Sequence, residues 1–226
     1  MKSLLITGTD TEVGKTVLTT AIAAYWQKYR DLNTLGVFKP IQSGLGDREL
    51  YQKLFSLNQT SEEITPLYFK APLAPPVAAA QENRTVDLGI VWQSFSKLSQ
   101  ERDFVLVEAL GGLGSPITDE LTVADLASEW RLPTILVVPV KLGAISQAVA
   151  NIALARQSKI KMVGIVLNCT QPDIESQIPD LAPTDLIQSL TNTSVLGCLP
   201  YLENPADLEK LAQVASNLDL EMIFNY

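Results

Sequence analysis

The chain has 226 residues, and its 17 Lys and Arg against 25 Asp and Glu give a formal net charge of −8. Hydrophobic residues make up 46% of the sequence and charged residues 19%, so the chain can bury a substantial core and is not predicted to be disordered. The acidic balance argues against a nucleic-acid partner, and the lack of histidine excludes imidazole acid–base catalysis and His-ligated metals. Two cysteines, no apolar run of membrane-spanning length and no targeting signal favour a soluble cytoplasmic protein without a membrane partner.

Short apolar runs alternate with segments of helical period. The predicted strands are nearly continuous in Leu, Ile and Val, as is typical of parallel strands covered on both faces, and span 4–7, 35–39, 104–108, 134–140, 162–168 and 195–199. The predicted helices span 16–29, 86–99, 123–129, 145–157 and 206–217, and the proline-rich segment 65–84 is expected to be an ordered loop. This alternation predicts a single α/β domain over residues 1–226, with a doubly wound, mainly parallel sheet and helices on both faces. Ligands are expected at the carboxyl ends of the strands.

Residues 8–16, Gly-Thr-Asp-Thr-Glu-Val-Gly-Lys-Thr, lie between the first predicted strand and the first helix. In this context they predict a phosphate loop, in which backbone N–H groups and a helix N-terminus bind phosphate oxygens. Gly14 would allow close approach of the backbone, Lys15 would contact the β- and γ-phosphates, and the Thr16 hydroxyl would bind Mg²⁺. The spacing departs from the usual pattern, because five residues separate Gly8 from Gly14. The alternative is a chance Gly-Lys-Thr at a helix start.

Five motifs in the same order resemble those of the dethiobiotin synthetase family. After the phosphate loop come Phe-Lys-Pro-Ile-Gln-Ser-Gly at 38–44, Val-Glu-Ala-Leu-Gly-Gly at 107–112, Val-Lys-Leu-Gly-Ala-Ile-Ser at 140–146 and Leu-Pro-Tyr-Leu-Glu-Asn-Pro at 199–205. The resemblance implies a phosphate-loop enzyme, a cyclo-ligase that uses Mg²⁺ and ATP and forms homodimers. Its implied reaction takes 7,8-diaminononanoate, CO₂ and ATP to dethiobiotin, ADP and phosphate, through a carbamate and a carbamic-phosphoric anhydride.

The resemblance also implies site residues. Lys15 and Lys39 would be catalytic, and Thr16, Asp47 and Glu108 would hold the metal. The nucleotide would contact these metal ligands and Glu12, Val13, Gly14, Lys15, Val17, Gly111, Asn168, Pro200, Tyr201, Leu202 and Glu203. The substrate would contact Thr11, Lys39, Ser43, Leu142, Gly143, Ala144, Ile145 and Ser146, the last five also reaching the partner subunit's site.

Each of these residues also has a structural alternative. Lys39 and Glu108 are each expected at the end of a strand. If Lys39 had no functional role, it would be a solvated surface charge there. Ser43 and Asn168 are common turn residues. Asp47 and Ser146 are also good helix N-caps.

The third motif departs from the family pattern and keeps a rival open. Ala109-Leu110 replaces the usual Gly-Ala, which removes access to positive φ at the first position, and an inactive nucleotide-binding paralogue is the corresponding alternative. Cobyrinate-type amidotransferases and the related part of phosphotransacetylases are further rivals, but the amidotransferases need a Cys–His pair. A ParA/MinD-like switch ATPase would have a lysine at the position of Asp10.

Overall fold

The computed structural model describes residues 2–226. Its strands are β1 (Lys2–Gly8), β2 (Leu35–Phe38), β3 (Ile41–Ser43), β4 (Leu67–Phe69), β5 (Phe104–Gly112), β6 (Thr134–Pro139), β7 (Met162–Asn168) and β8 (Val195–Leu199). Six of them form a central parallel sheet in the order β2-β5-β1-β6-β7-β8, and β3 pairs with β4 in a small second sheet. The order reverses beside β1, so the loop after β1 opens at the switch point where ligands bind in such sheets.

The helices cover both faces of the central sheet. They are α1 (Lys15–Tyr29), α2 (Asp47–Leu54), α3 (Ser61–Ile64), α4 (Pro75–Gln81), α5 (Leu88–Glu101), α6 (Val123–Glu129), α7 (Ala144–Gln157), α8 (Ile178–Leu181), α9 (Thr184–Thr191), α10 (Leu208–Ala215) and α11 (Leu220–Asn225). Alternate residues of β1 point to opposite faces, and Leu4 and Ile6 therefore join the core beneath α1 and α10 while Leu5 joins the core beneath α5 and α6. Within residues 2–226, no helix is both long and apolar enough to cross a membrane.

The predicted fold class is confirmed, while several element bounds are corrected. Segment 65–84 is not a loop throughout, since it contains β4 and also α4, which begins with proline at its first position, where the missing N–H has no intrahelical role. The helix predicted at 206–217 begins only at Leu208, because the Asp207 side chain caps it by accepting from Lys210 N. The strand predicted to end at Glu108 continues through Gly112.

Candidate active site

The phosphate loop connects β1 to α1 as its sequence predicts. Gly14 is the N-cap of α1 with a φ of 102°, and Glu12 also has a positive φ of 55°. A Cβ on Gly14 would overlap the side-chain amide of Asn168, so both the backbone conformation and the packing require glycine. No side chain caps the N-terminus of α1, and its first turn contains no acidic residue. The first N–H groups of α1 are therefore available to an anion.

Lys15 is the first residue of α1 and is only 5% exposed. Its ammonium donates to the backbone oxygen of Asp10 at 2.7 Å, which folds the side chain back over the loop. Burial, followed by the nearby Lys39 ammonium, lowers the pKa of Lys15 to about 8. A bound polyphosphate would offset both effects, because it supplies negative charge where the protein has concentrated positive charge.

Lys39 directly follows β2 and is 3% exposed, so it is not a solvated charge. Its ammonium lies 2.6 Å from Asp47 Oδ2, 2.8 Å from Glu108 Oε1 and 3.1 Å from the backbone oxygen of Ala109. Burial opposes the charged form, but the carboxylates of Glu108 and Asp47 outweigh it and raise the pKa of Lys39 above its ordinary value. Lys39 is therefore a fixed ammonium between two carboxylates at neutral pH.

Asp47 is the first residue of α2, whose N-cap is Gly46, so the N-cap alternative for Asp47 is wrong. Its Oδ1 lies 3.0 Å from the Thr16 hydroxyl, which also lies 3.0 Å from Glu108 Oε1. Burial raises the pKa of Asp47, but Lys39 and the Thr16 hydroxyl hold it below the ordinary value. One hydroxyl proton cannot satisfy two carboxylate oxygens at once, so three oxygens converge where a hard cation would be stabilised.

This oxygen set fits Mg²⁺. Residues 2–226 contain no cluster of three or more His, Cys, Asp or Glu side chains, but Mg²⁺ commonly takes one or two carboxylates and completes its shell with water and substrate phosphates. Thr16, Asp47 and Glu108 supply two carboxylates and one hydroxyl beside the phosphate loop. The metal assignment predicted for these three residues is thus chemically consistent with their arrangement, and it stays a prediction.

Glu108 lies within β5 rather than at its end, because β1 continues to pair with β5 beyond it, through a register shift between Ile6 and Gly8. Its side chain is fully buried. Oε2 accepts from the Thr19 hydroxyl at 2.8 Å and from the Tyr51 hydroxyl. The motifs singled out neither Thr19 nor Tyr51, although each follows a predicted metal ligand at the three- or four-residue spacing that shares a helix face.

The altered third motif lies where β5 shifts register against β1, but it does not need a left-handed backbone. Ala109 and Leu110 both lie within β5, and neither has a positive φ, so the glycine that the family pattern has there is not needed for the chain path. The next two glycines are constrained by packing: a Cβ on Gly111 would overlap the Ser115 hydroxyl, and one on Gly112 would lie 3.0 Å from the backbone oxygen of Gly8. The sequence feature that favoured an inactive paralogue therefore imposes no left-handed strain on Ala109 or Leu110.

Two adjoining clefts meet at Lys39. The smaller, of about 230 Å³, lies over the phosphate loop and is lined by Glu12, Gly14, Lys15, Thr16 and Glu108. The larger, of about 450 Å³, is lined by Ser43 together with apolar side chains of Ile41, Pro72, Leu73, Pro75 and Pro116. Thr11, Lys39, Asp47 and Leu110 line both clefts. The Ser43 hydroxyl is buried without a hydrogen-bond partner and borders the larger cleft, where a polar group of a ligand could satisfy it.

The residues predicted to bind the base lie at the ends of β7 and β8. Asn168 is buried, and its amide donates to the backbone oxygen of Val13 at 2.9 Å, which joins this region to the phosphate loop. Tyr201, Leu202 and Glu203 line a third cleft of about 500 Å³, and Pro200 lies directly after β8. Val17 packs its side chain on the core beneath α1 instead of facing a cleft.

Residues 142–146 do not line either cleft at Lys39 within the described part of the chain. Gly143, with a φ of 91°, is the N-cap of α7, and Ala144, Ile145 and Ser146 form its first turn. The Ser146 hydroxyl donates to the Gly143 backbone oxygen at 2.9 Å, so the N-cap alternative for Ser146 is wrong. Leu142 is 88% exposed. These residues thus lie outside both clefts of their own chain, and their substrate contacts stay a prediction.

The fold is similar to those of solved ParA and MinD proteins. A ParA family ATPase from Chlorobium tepidum matches with a TM-score of 0.58 and 13% identity, over 98% of this chain and 96% of that chain. The MinD cell division protein of Aquifex aeolicus matches with a TM-score of 0.56 and 14% identity, over 98% of this chain and 95% of that chain. At these identities the likeness shows the fold alone.

Sequence comparisons identify the family. A family model described as an AAA domain matches residues 2–207. The ATP-dependent dethiobiotin synthetase of Gloeothece citriformis is 62% identical over 99% of this chain and 99% of its own length. Those of Crocosphaera subtropica and Bacillus subtilis strain 168 are 57% and 30% identical, covering 99% and 100% of this chain and 100% and 98% of their own lengths. By these full-length relationships, the chain belongs to the ATP-dependent dethiobiotin synthetase family.

Proposed function

We propose that this chain, as one domain over residues 1–226, converts 7,8-diaminononanoate, CO₂ and ATP to dethiobiotin, ADP and phosphate. The activity is the one that its relatives are named for. The observation that supports it best is the position of Lys39, which lines both the phosphate-loop cleft and the larger cleft with apolar walls. A γ-phosphate in the first cleft and a carbamate at the end of an aliphatic diamine in the second would meet at one buried ammonium.

The first chemical step is phosphoryl transfer. An amine of the substrate takes up CO₂ and loses a proton to give a carbamate, whose oxygen attacks the γ-phosphorus of ATP and displaces ADP. Negative charge gathers on the carbamate and on the transferred phosphoryl group, and Lys15 and Lys39 lie where they would neutralise it. Because both side chains are almost fully buried, their charges are weakly screened and preorganised for this role.

Thr16, Asp47 and Glu108 are the residues that would hold Mg²⁺. When bound, the ion would supply positive charge to the nucleotide phosphates. In the structure the Lys39 ammonium contacts both carboxylates, so the site keeps its two negative charges paired. We expect the same contacts to keep Lys39 beside the bound γ-phosphate.

The second step is ring closure. The other amine attacks the carbamoyl carbon, the C–O bond to phosphate breaks, and the amine loses a proton as the cyclic urea forms with release of phosphate. The unpartnered hydroxyl of Ser43 would hydrogen-bond the diamine or the carbamate, and Thr11 lies across the same cleft. The apolar walls would bind the alkyl chain and exclude water from the mixed anhydride.

The remaining predicted contacts concern the base and a second subunit. Asn168 would bind the adenine edge through its side-chain amide, which donates only one of its two N–H groups to Val13, and the 200–203 segment would enclose the base and ribose. We propose a homodimer in which residues 142–146 reach the partner's substrate, which agrees with the exposure of Leu142 and with the lack of a side-chain cap at the N-terminus of α7.

The test is ADP release by the purified protein with Mg-ATP and bicarbonate, with and without 7,8-diaminononanoate. Release that requires the diamine, with dethiobiotin detected by mass spectrometry, is the expected result. The Lys39→Ala variant is expected to lose about 10²-fold or more in turnover, the magnitude for one preorganised charge. ADP release that does not depend on the diamine would contradict the proposal and favour a nucleotide-switch ATPase. That class has a lysine where this chain has Asp10.

The metal assignment is tested separately by Glu108→Gln. Replacing the carboxylate is expected to raise the Mg²⁺ concentration needed for half-maximal turnover and to weaken binding of Mn²⁺, followed by electron paramagnetic resonance. Glu101→Gln is a suitable control, because Glu101 is an exposed carboxylate at the end of α5 and lines neither the phosphate cleft nor the third cleft. A Mg²⁺ titration unchanged in Glu108→Gln would remove Glu108 from the metal shell.

A further inference from the structure

The two carboxylate oxygens of Glu108 have different surroundings. Oε1 faces the phosphate cleft, where Lys39 lies at 2.8 Å and the Thr16 hydroxyl at 3.0 Å. Oε2 faces the interior, where it accepts from the hydroxyls of Thr19 and Tyr51. Glu108, Thr19 and Tyr51 are all fully buried. The carboxylate is therefore held by two sets of donors on opposite sides.

Apart from Lys39, the groups around Glu108 come from two helices with matching arrangements. On α1, Thr16 and Thr19 are three residues apart, and on α2, Asp47 and Tyr51 are four residues apart. Residues at these spacings share one helix face. Each helix thus presents one oxygen group to the proposed metal position and one hydroxyl to the far side of Glu108.

Of the two inner donors, Tyr51 has Glu108 as its single acceptor, whereas Thr19 has two acceptors. The Thr19 hydroxyl has two acceptors for its single proton, Glu108 Oε2 at 2.8 Å and the backbone oxygen of Lys15 at 3.0 Å. The Tyr51 ring is packed in the core beneath α1 and is fully buried, so its hydroxyl is fixed in direction. The Tyr51 hydroxyl is in close contact with Oε2.

We infer that Tyr51, assisted by Thr19, is a positioning residue for the proposed metal ligand Glu108. By occupying Oε2, the two hydroxyls prevent the carboxylate from turning into the interior and leave Oε1 directed at the cation position between Thr16 and Asp47. This inference rests on the proposed function, because it takes Glu108 as a ligand of Mg²⁺. Outer donors of this kind orient metal-binding side chains, and their loss costs about 10- to 100-fold in metal affinity or activity.

The experiment compares Tyr51→Phe with Tyr226→Phe. The Tyr226 hydroxyl donates to the Ser3 backbone oxygen at 2.6 Å at the opposite end of β1, so both variants lose one partly or fully buried tyrosine hydrogen bond. Mn²⁺ affinity in the presence of ADP is measured by electron paramagnetic resonance, and the Mg²⁺ dependence of turnover is measured at saturating ATP. Tyr51→Phe is expected to weaken Mn²⁺ binding about tenfold or more and to raise the half-saturating Mg²⁺ concentration, with kcat largely recovered at high Mg²⁺. Tyr226→Phe is expected to leave both metal measurements unchanged.

A purely structural role for Tyr51 would lower the unfolding temperature and leave Mn²⁺ affinity unchanged, and this result overturns the inference. Thr19→Val gives the same test through the second hydroxyl, with a smaller expected loss, and it decides the matter if Tyr51→Phe does not fold. Glu108→Gln separates the positioning role of Tyr51 from the metal assignment of Glu108. Weak Mn²⁺ binding in Glu108→Gln with wild-type binding in Tyr51→Phe and Thr19→Val contradicts only the positioning role, whereas wild-type binding in Glu108→Gln contradicts the metal assignment itself.

Discussion

Replacing Lys39 by methionine is expected to destabilise the fold as well as to abolish most activity. The side chains of Lys39 and Glu108 are 4% and 0% exposed, and removing one partner of a buried ion pair costs about 3–5 kcal/mol. Asp47 is 28% exposed, so solvent screens its interaction with Lys39 and lowers the cost of losing it. Glu108 keeps its hydroxyl donors in the variant, which lowers the cost further. We therefore expect a loss at the lower end, about 3 kcal/mol, in the absence of metal.

The assay is thermal unfolding followed by circular dichroism, in EDTA and in saturating Mg²⁺. For a domain of this size, a loss of about 3 kcal/mol lowers Tm by about 6–12 °C. Mg²⁺ is expected to restore more stability to Lys39→Met than to the wild type, because in the variant the cation alone neutralises Asp47 and Glu108. Lys97→Met is the control, since Lys97 and its partner Glu63 are 62% and 40% exposed, and solvent screening should leave Tm nearly unchanged, with no response to Mg²⁺.

Two results would refute this reasoning. If Lys39→Met unfolded in EDTA at the wild-type temperature, the buried pair with Glu108 would not contribute to stability. If Mg²⁺ raised Tm equally in the wild type and in Lys39→Met, the ammonium and the cation would not share the two carboxylates. Either result can be obtained without a working activity assay.

Three further predictions follow from the phosphate loop and from α2. Because the pKa of Lys15 is about 8 and bound phosphates favour its charged form, ATP binding should take up more protons at about pH 9 than at about pH 7.5, as measured by calorimetry in buffers of different ionisation enthalpy. Gly14→Ala should weaken ATP binding by about tenfold or more, since the φ of 102° and the side chain of Asn168 both exclude a Cβ. Burial raises the pKa of Glu49, but the Gly46 N–H and neighbouring side chains lower it from 4.5 to about 2. Its stabilising effect is thus present above pH 4.5 and is lost as the pH falls toward 2, so the difference in urea midpoint between the wild type and Glu49→Gln should shrink over that window.

Each of these has a result that contradicts it. Proton uptake that is the same at both pH values would mean that Lys15 is fully charged before ATP binds. Gly114→Ala is the control for Gly14→Ala, because its Cβ would make only an ordinary contact at 3.9 Å with Leu154, and equal ATP affinity in the two variants would exclude the steric argument. A pH-independent difference for Glu49→Gln would mean that its carboxylate is not held by these hydrogen bonds.

Contiguous patterns in the sequence were sufficient for the fold class and for the centre of the site. Strands buried on both faces require unbroken apolar runs, and the bounds of β7 and β8 follow from them. The phosphate loop is likewise local, because a strand, a Gly-Lys-Thr and a helix follow one another within residues 2–29. The role of Lys39 came from the resemblance of its motif, and the end of a predicted parallel strand already put it at the ligand-binding edge.

Only the tertiary structure decided how the charged groups are paired. Lys39 and Glu108 are 69 residues apart in the chain, and their contact depends on β2 pairing with β5. The position of Glu108 inside a strand depends on the register shift against β1, and the Tyr51 hydroxyl reaches it only because α2 packs its buried face inward. The substrate contacts of residues 142–146 remain a prediction that a second subunit must complete. Local periodicity determines which face of an element is buried, but the partner of a buried polar group is set by non-local packing, which no single segment contains.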